Sequence, residues 1–144
     1  MREKNLNLLG LMRRANAIAI GETNTGTAVK SGKTKLLLIA SDASDNARRR
    51  AESFVAGRNV PIVQLPFTKE EVSSHVGVSG CSMAAVLDLG FAEALMKLLA
   101  AEDPSAFAAV AQELAQKNAK AQKRKKEAAA QERNKRIGKR RNSV

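Results

Sequence analysis

The chain has no tryptophan and no tyrosine, and its 3% aromatic content is all phenylalanine. Proteins that grip single-stranded nucleic acid by stacking successive bases need such rings, so the composition argues against that mode. The single cysteine, Cys81, rules out an internal disulfide framework, and with only one histidine, His75, it cannot complete a cysteine zinc cluster. A reducing cytoplasm fits this usage. The opening segment MREKNLNLLGLMRRAN holds a broken apolar stretch that ends in Arg13 and Arg14, too short and too polar for a signal peptide or a membrane span. A soluble cytoplasmic protein with no membrane partner is expected. No paired carboxylates accompany a glycine-rich phosphate loop, and no Ser/His/Asp constellation or metal-ligand spacing can be assembled. An enzyme is therefore not expected, nor are catalytic residues, a bound metal or a cofactor.

Acidic residues are scarce in one region. Residues 117–144 hold 12 of the 25 Lys and Arg but only Glu127 and Glu132 of the 14 acids, so they carry +10 of the formal +11 charge. Such asymmetry speaks of partners, chiefly polyanions, and not of fold. The 44% hydrophobic content of 144 residues suffices for one core, which predicts one domain of ordinary size and an extension.

The stretch AIAIGETNTGTAVKSGKTKLLLIASDAS, Ala17 to Ser44, reads as strand, helix and strand with glycines at both joints. Ala17 to Ile20 is a short apolar run closed by Gly21, Glu22 to Ser31 is a helix stopped by Gly32, and Leu36 to Ala40 is a buried strand. A glycine leading from a strand into a helix start leaves several backbone N–H groups without intrahelical partners, and these attract phosphates or acceptor atoms of bases. Gly21 is thus the first candidate for ligand contact. Gly26, inside the helix, either permits a close RNA backbone or marks a frayed segment.

The remaining segments alternate with the lengths of an α/β unit. Leu6, Leu8, Leu9 and Met12 form a helical stripe; Ser41 to Ser44 supply capping oxygens for a helix through Arg48, Arg49 and Arg50 to Phe54, ending near Gly57. Pro61 to Leu65 is a strand. Thr68 caps a helix that runs to Val76, Met83 to Leu87 is the fourth strand, and Gly90 to Leu99 is a helix with Phe91, Leu95, Leu98 and Leu99 at helical spacing. The basic clusters Arg13–Arg14 and Arg48–Arg50 read as solvated faces, His75 as a surface residue and Cys81 as a small hydrophobe.

LGLMRRANAIAIGE, the TAVKSGKTKLLLIASDAS run, the NVPIVQLPF strand and the HVGVSG loop together resemble the kink-turn-binding ribosomal proteins, the family of archaeal large-subunit protein L-seven-Ae and its small bacterial YlxQ-like relatives. The resemblance spans residues 5–100 and implies a three-layer α/β/α sandwich with a four-stranded mixed sheet. It implies further that the first strand-to-helix joint enters the groove of a kinked RNA stem while a second loop packs apolar atoms against a flipped base. On this alignment the family's Asn–Glu pair falls at Thr23 and Asn24, beside Glu22, and its following Lys falls at Thr27. Thr23 and Asn24 retain the capacity to hydrogen-bond base edges, whereas Thr27 supplies no cation. The second loop maps onto Gly77 to Gly80, with Val78 offering the apolar contact and Ser79 and Gly80 beside it. The ordinary alternative for that loop is a tight helix-to-strand connection. Lys30, Lys33 and Lys35 are taken to flank the joint and to position RNA without reading it.

Three regions follow: residues 1–100 as the kink-turn-binding-like ribosomal domain, 101–116 as an amphipathic helix and 117–144 as a basic RNA-binding or disordered tail. Asp103 and Pro104 form a cap and first turn, after which Phe107, Val110, Ala111, Leu114 and Ala115 make a stripe that needs a surface to dock on. Helix propensity stays high as far as Ile137, and Lys123, Arg124, Lys125, Lys126, Arg133, Lys135 and Arg136 are the tail's candidate RNA contacts. The preferred reading is a non-catalytic RNA-binding protein of the ribosome or of the translation and assembly machinery, recognising structured, ribosomal RNA. The competing reading is a protein-interaction module that docks a ribosomal protein, translation factor or transcription factor through the helix after Asp103.

Overall fold

The computed structural model describes the backbone of residues 2–142 and the side chains of residues 3–135. Helices and strands follow in the order α1 (Arg2–Arg14), β1 (Ile18–Ile20), α2 (Glu22–Lys30), β2 (Leu36–Ile39), α3 (Asp45–Val55), β3 (Ile62–Gln64), α4 (Lys69–Val76), β4 (Met83–Val86), α5 (Leu89–Glu102) and α6 (Pro104–Asn142). The strand order is β1-β4-β2-β3. β2 and β3 run parallel, while β4 is antiparallel to both of its neighbours. The sheet is therefore mixed, as expected, and its Gly21 end also carries the starts of the loops after β2 and β3.

β2 and β4 lie in the middle of the sheet and are buried along their whole length. That is why they read as unbroken apolar runs, since both faces are covered. Leu36 and Leu38 face a large core with Leu6, Leu9 and Met12 of α1, Val72 and Val76 of α4, and Leu95 and Leu99 of α5. Leu37 and Ile39 face the opposite way, into a smaller core with Val29 of α2 and Ala47 and Ala51 of α3. Helices on both faces complete a three-layer α/β/α sandwich.

Local chemistry sets the element ends. The Ser44 side chain accepts from the Ala47 N–H at 3.1 Å, and Thr68 with Glu71 forms a reciprocal capping box. Asp88 accepts from the Phe91 N–H at 2.9 Å, so α5 begins just before Gly90. Asn16 takes φ +55, the left-handed conformation that ends α1 and lets the Ala17 N–H return to the Met12 carbonyl at 2.9 Å. Arg48 is not merely solvated: its guanidinium donates to the Ser41 carbonyl at 3.1 Å and to the Gln64 side chain, tying the β2–α3 turn to β3. Gly26 neither invites RNA nor marks fraying. A Cβ there would lie 2.9 Å from the Phe54 ring, so its hydrogen permits α2 and α3 to touch.

The core does not stop at residue 100. Phe107, Ala111 and Leu114 of α6 are buried in the larger core, because α6 turns back at Asp103 and lies along α5. The stripe expected to seek a partner is thus spent within the chain, which removes the surface on which the protein-interaction reading relied. Beyond it the helix continues without interruption through the change of composition at residue 117. No described helix is long and apolar enough to cross a membrane.

Asn118 of α6 donates its side-chain amide to Glu93 of α5, and Lys97 pairs with the same carboxylate at 2.9 Å. The Asn118 hydrogen bond first, then the Lys97 contacts, hold the Glu93 carboxyl below the ordinary glutamate range. A depressed folded value adds stability above the unfolded glutamate value of about 4.3 and loses it as pH falls through the folded one. Wild type should therefore be more stable than Glu93→Gln at pH 7, with the gap closing below about pH 4.3. Urea midpoints at pH 7 and pH 3 check this; a gap of the same size at both contradicts it.

Candidate nucleic-acid interface

The interface begins where β1 ends. Gly21 adopts φ 92 and ψ 163, a region open in practice only to glycine. Its N–H donates to the Met83 carbonyl at 3.0 Å, extending the ladder onto β4, and its carbonyl accepts the Thr25 N–H at 2.9 Å, opening α2. No side chain caps this helix start. The first N–H groups of α2, at Glu22, Thr23 and Asn24, therefore have no intrahelical acceptor. Nothing lies within 4 Å of the position a Gly21 Cβ would take, so the approach to them is open. The positive end of the helix dipole adds to the attraction for acceptor atoms.

Asn24 is exposed and donates one amide hydrogen to the Ile20 carbonyl at 3.0 Å, which leaves a second hydrogen and an acceptor oxygen for a ligand. It shares a recess of about 140 Å³ with Arg13, Ile18, Ala19, Ile20 and Val78. That volume is below the ~300–1,000 Å³ of small-molecule pockets and suits the insertion of a single group. Val78 reaches the recess from the α4–β4 loop while packing partly on the main core. The loop is thin because Gly77 and Gly80 both take positive φ, +75 and +74. Its shape is held by Cys81, whose thiol donates to the Val78 carbonyl at 2.9 Å. Cys81 is thus more than a small hydrophobe: it fixes the residue that faces Asn24. Ser79 and Gly80 are exposed at the tip.

The neighbouring side chains divide clearly. Glu22 pairs with Arg50 of α3 at 2.8 Å, so the carboxylate at the joint is matched by a cation that is itself 64% exposed. Thr23 is exposed. The Thr27 hydroxyl donates to the Thr23 carbonyl at 3.0 Å, so its proton is committed within the helix. Lys30 and Lys33 do not flank the joint. They stand at the other end of α2, about 12 Å along an axis that rises 1.5 Å per residue. Lys123, Arg124, Lys125, Lys126, Arg133 and Lys135 are all exposed on the free part of α6, and the Arg136 side chain lies outside the described residues.

Arg13 and Arg50 stand beside the joint, although their sequence context reads as solvated faces. For Arg13 the signal was available. Arg13 and Arg14 close α1 three residues before β1, and the structure sets Arg13 beside that strand. Arg50 is brought in only by the packing of α3 on α2, which no local pattern encodes.

The ribosomal protein L7Ae/L30e/S12e/Gadd45 family model matches residues 3–96. The RNA-binding protein YlxQ of Enterococcus faecium is 30% identical over 98 residues, covering 68% of this chain and 93% of its own length. The RNA-binding protein YlxQ of Bacillus subtilis (strain 168) is 29% identical over 92 residues, covering 64% and 91%. Among solved structures, a protein of unknown function from Bacillus halodurans C superposes with a TM-score of 0.60 at 26% identity, over 66% of this chain and 95% of that one. A Giardia lamblia 15.5kD RNA binding protein superposes with a TM-score of 0.52 at 26% identity, over 66% and 84%.

The backbone at Gly21 generates a direct test. Gly21→Ala should lower the unfolding free energy by about 1–3 kcal/mol even though the added methyl meets open space, because the cost is conformational. Urea denaturation measures it, and a variant as stable as wild type would show that the joint tolerates a side chain.

Proposed function

The chain belongs to the ribosomal protein L7Ae/L30e/S12e/Gadd45 family, and from that premise we propose that it is a non-catalytic RNA-binding protein whose Gly21 joint recognises a kinked RNA stem. The observation that carries the reading is the meeting of Asn24 and Val78 across one small recess beside an uncapped helix start. A polar group that reads a base edge and an apolar group that packs on a base face are what a displaced base requires, and the free N–H groups can donate to a phosphate oxygen or a base acceptor. Relatives named RNA-binding proteins and an RNA-binding structural neighbour support the same partner.

Within this reading each residue has a role. Gly21 lets the RNA backbone come close, Asn24 reads a base edge, Val78 covers an extruded base, and Arg13 and Arg50 hold flanking phosphates. Thr27 offers no charge where the family places a lysine, so exposed Arg13, and Arg50 beside its partner Glu22, supply the positive charge described near the joint. A structured ribosomal RNA in the cytoplasm is the proposed partner, with the protein acting in the ribosome or in its assembly and translation machinery.

Asn24→Ala should weaken binding to a kink-turn stem by about 1–3 kcal/mol, the range for a lost bidentate base contact, and leave a straight duplex of equal length unaffected. Lys123, Arg124, Lys125, Lys126, Arg133 and Lys135 are changed to glutamine in both the parent and the variant, so that tail electrostatics do not mask the difference. Electrophoretic mobility shift gives the affinities. Equal affinity of the parent for stem and duplex, with no response to Asn24→Ala, would sink the proposal.

A further inference from the structure

The end of the sheet opposite Gly21 carries a second positive surface. α6 starts level with Ser41 and Leu65, at the Gly21 end, and runs back along α5. At Lys117 it reaches the other end, where Lys117 donates to the Asn59 carbonyl at 3.2 Å just ahead of β3. Lys35, on the loop entering β2, lines two adjoining recesses there. One, of about 430 Å³, also holds Arg58 and Lys117; the other, of about 350 Å³, holds Asn118, Gln122 and Lys125. Lys33 is exposed on the same loop. Counter-charges among the described residues include Glu113, paired with Lys117 at 3.1 Å, Glu93, shared by Asn118 and Lys97, Asp88 in the second recess, engaged by the Phe91 N–H, and Glu127 and Glu132 on the segment beyond.

From this pole the helix runs on. Asn118 to Asn142 add roughly 37 Å at 1.5 Å per residue, with Gln122 and Lys125 still lining the recess. Residues 122–135 are all exposed, and no apolar stripe continues beyond Leu114 for a protein surface to cover. At about 100° per residue, Lys120, Lys123, Arg124, Lys125 and Lys126 point to every side of the helix. A flat anionic surface would neutralise only part of such a rod. Double-stranded RNA offers two phosphate backbones bordering a wide, shallow minor groove, so cations on more than one side of the rod find phosphates.

We propose that this pole, formed by Lys33, Lys35, Lys125 and the free segment of α6, is a second RNA site that holds the phosphate backbones of a duplex separate from the RNA at Gly21. The two sites face opposite ends of the sheet, so one chain bridges two RNA segments. Only the bridging rests on the proposed function of the joint; the second site is testable alone.

The experiment uses the full chain at 0.15 M salt, where exposed charges are screened over about 8 Å. A fluorescent straight RNA duplex is titrated with protein alone and with protein carrying one equivalent of an unlabelled kink-turn stem. The duplex affinity should agree within about twofold in the two titrations, and the loaded sample should sediment as a ternary complex. Lys35→Glu with Lys125→Glu should weaken duplex binding at least about tenfold while stem binding changes less than about twofold. Displacement of the duplex by the stem would overturn the proposal, as would duplex binding indifferent to the double substitution. Polyglutamate competing as well as duplex RNA would assign the pole to an acidic protein and equally overturn it. Failure of the joint is distinct: it appears as no preference for stem over duplex, with the duplex response to Lys35→Glu and Lys125→Glu intact.

Discussion

The insertion of β4 between β1 and β2, antiparallel to both, is the constraint on which the rest depends. Val86 pairs with Ile18 on one side and Leu36 on the other, so one strand of four residues aligns the sheet. Its start receives the Gly21 N–H at Met83, and the loop that enters it carries Val78. Val78 and Asn24, far apart in sequence, become neighbours because their segments meet at the same end of β4. Ala84 and Ala85, small and buried, let the two helical layers approach this strand closely. A shift of one residue in the β1–β4 register would turn Ile18 and Ile20 out of the larger core and carry Gly21 past Met83.

The C-terminal helix extends the same logic. Burial of Phe107, Ala111 and Leu114 against α5 belongs to the core, and it also sets the direction in which a strongly basic segment leaves the body. Apolar contacts therefore determine where the charge goes. Had α6 docked with opposite polarity, the cations would lie beside Gly21 and a single RNA could meet both. Glu93 and Asn118 clamp α6 to α5 where the basic segment begins.

Much of the fold was legible in the sequence because each element carries its own signal. The unbroken LLLI of β2 announces a strand covered on both faces, Thr68 with Glu71 announces a helix start, and Gly21 announces a joint where a side chain would be strained. The family resemblance added the pairing of the first joint with the Gly77–Gly80 loop, which no local pattern holds. What escaped was relative position. Lys30 and Lys33 are near Gly21 in sequence, but a helix of nine residues carries them to the far end of the sheet. Gly26 looked like a functional or frayed position because its partner, the Phe54 ring, belongs to another helix. The stripe of α6 was visible, but periodicity does not say whether the surface it covers lies in the same chain or in another.

In the proposed function RNA is met first at the uncapped start of α2 and the loop facing it. Backbone amide shifts of the isotope-labelled full chain, followed by nuclear magnetic resonance as a kink-turn stem is added below equimolar amounts, test it most directly. Glu22, Thr23, Asn24, Val78, Ser79 and Gly80 should move together while Lys33 and Lys35 stay in place. Shifts confined to residues 117–135, with Glu22 to Asn24 unmoved, would contradict it.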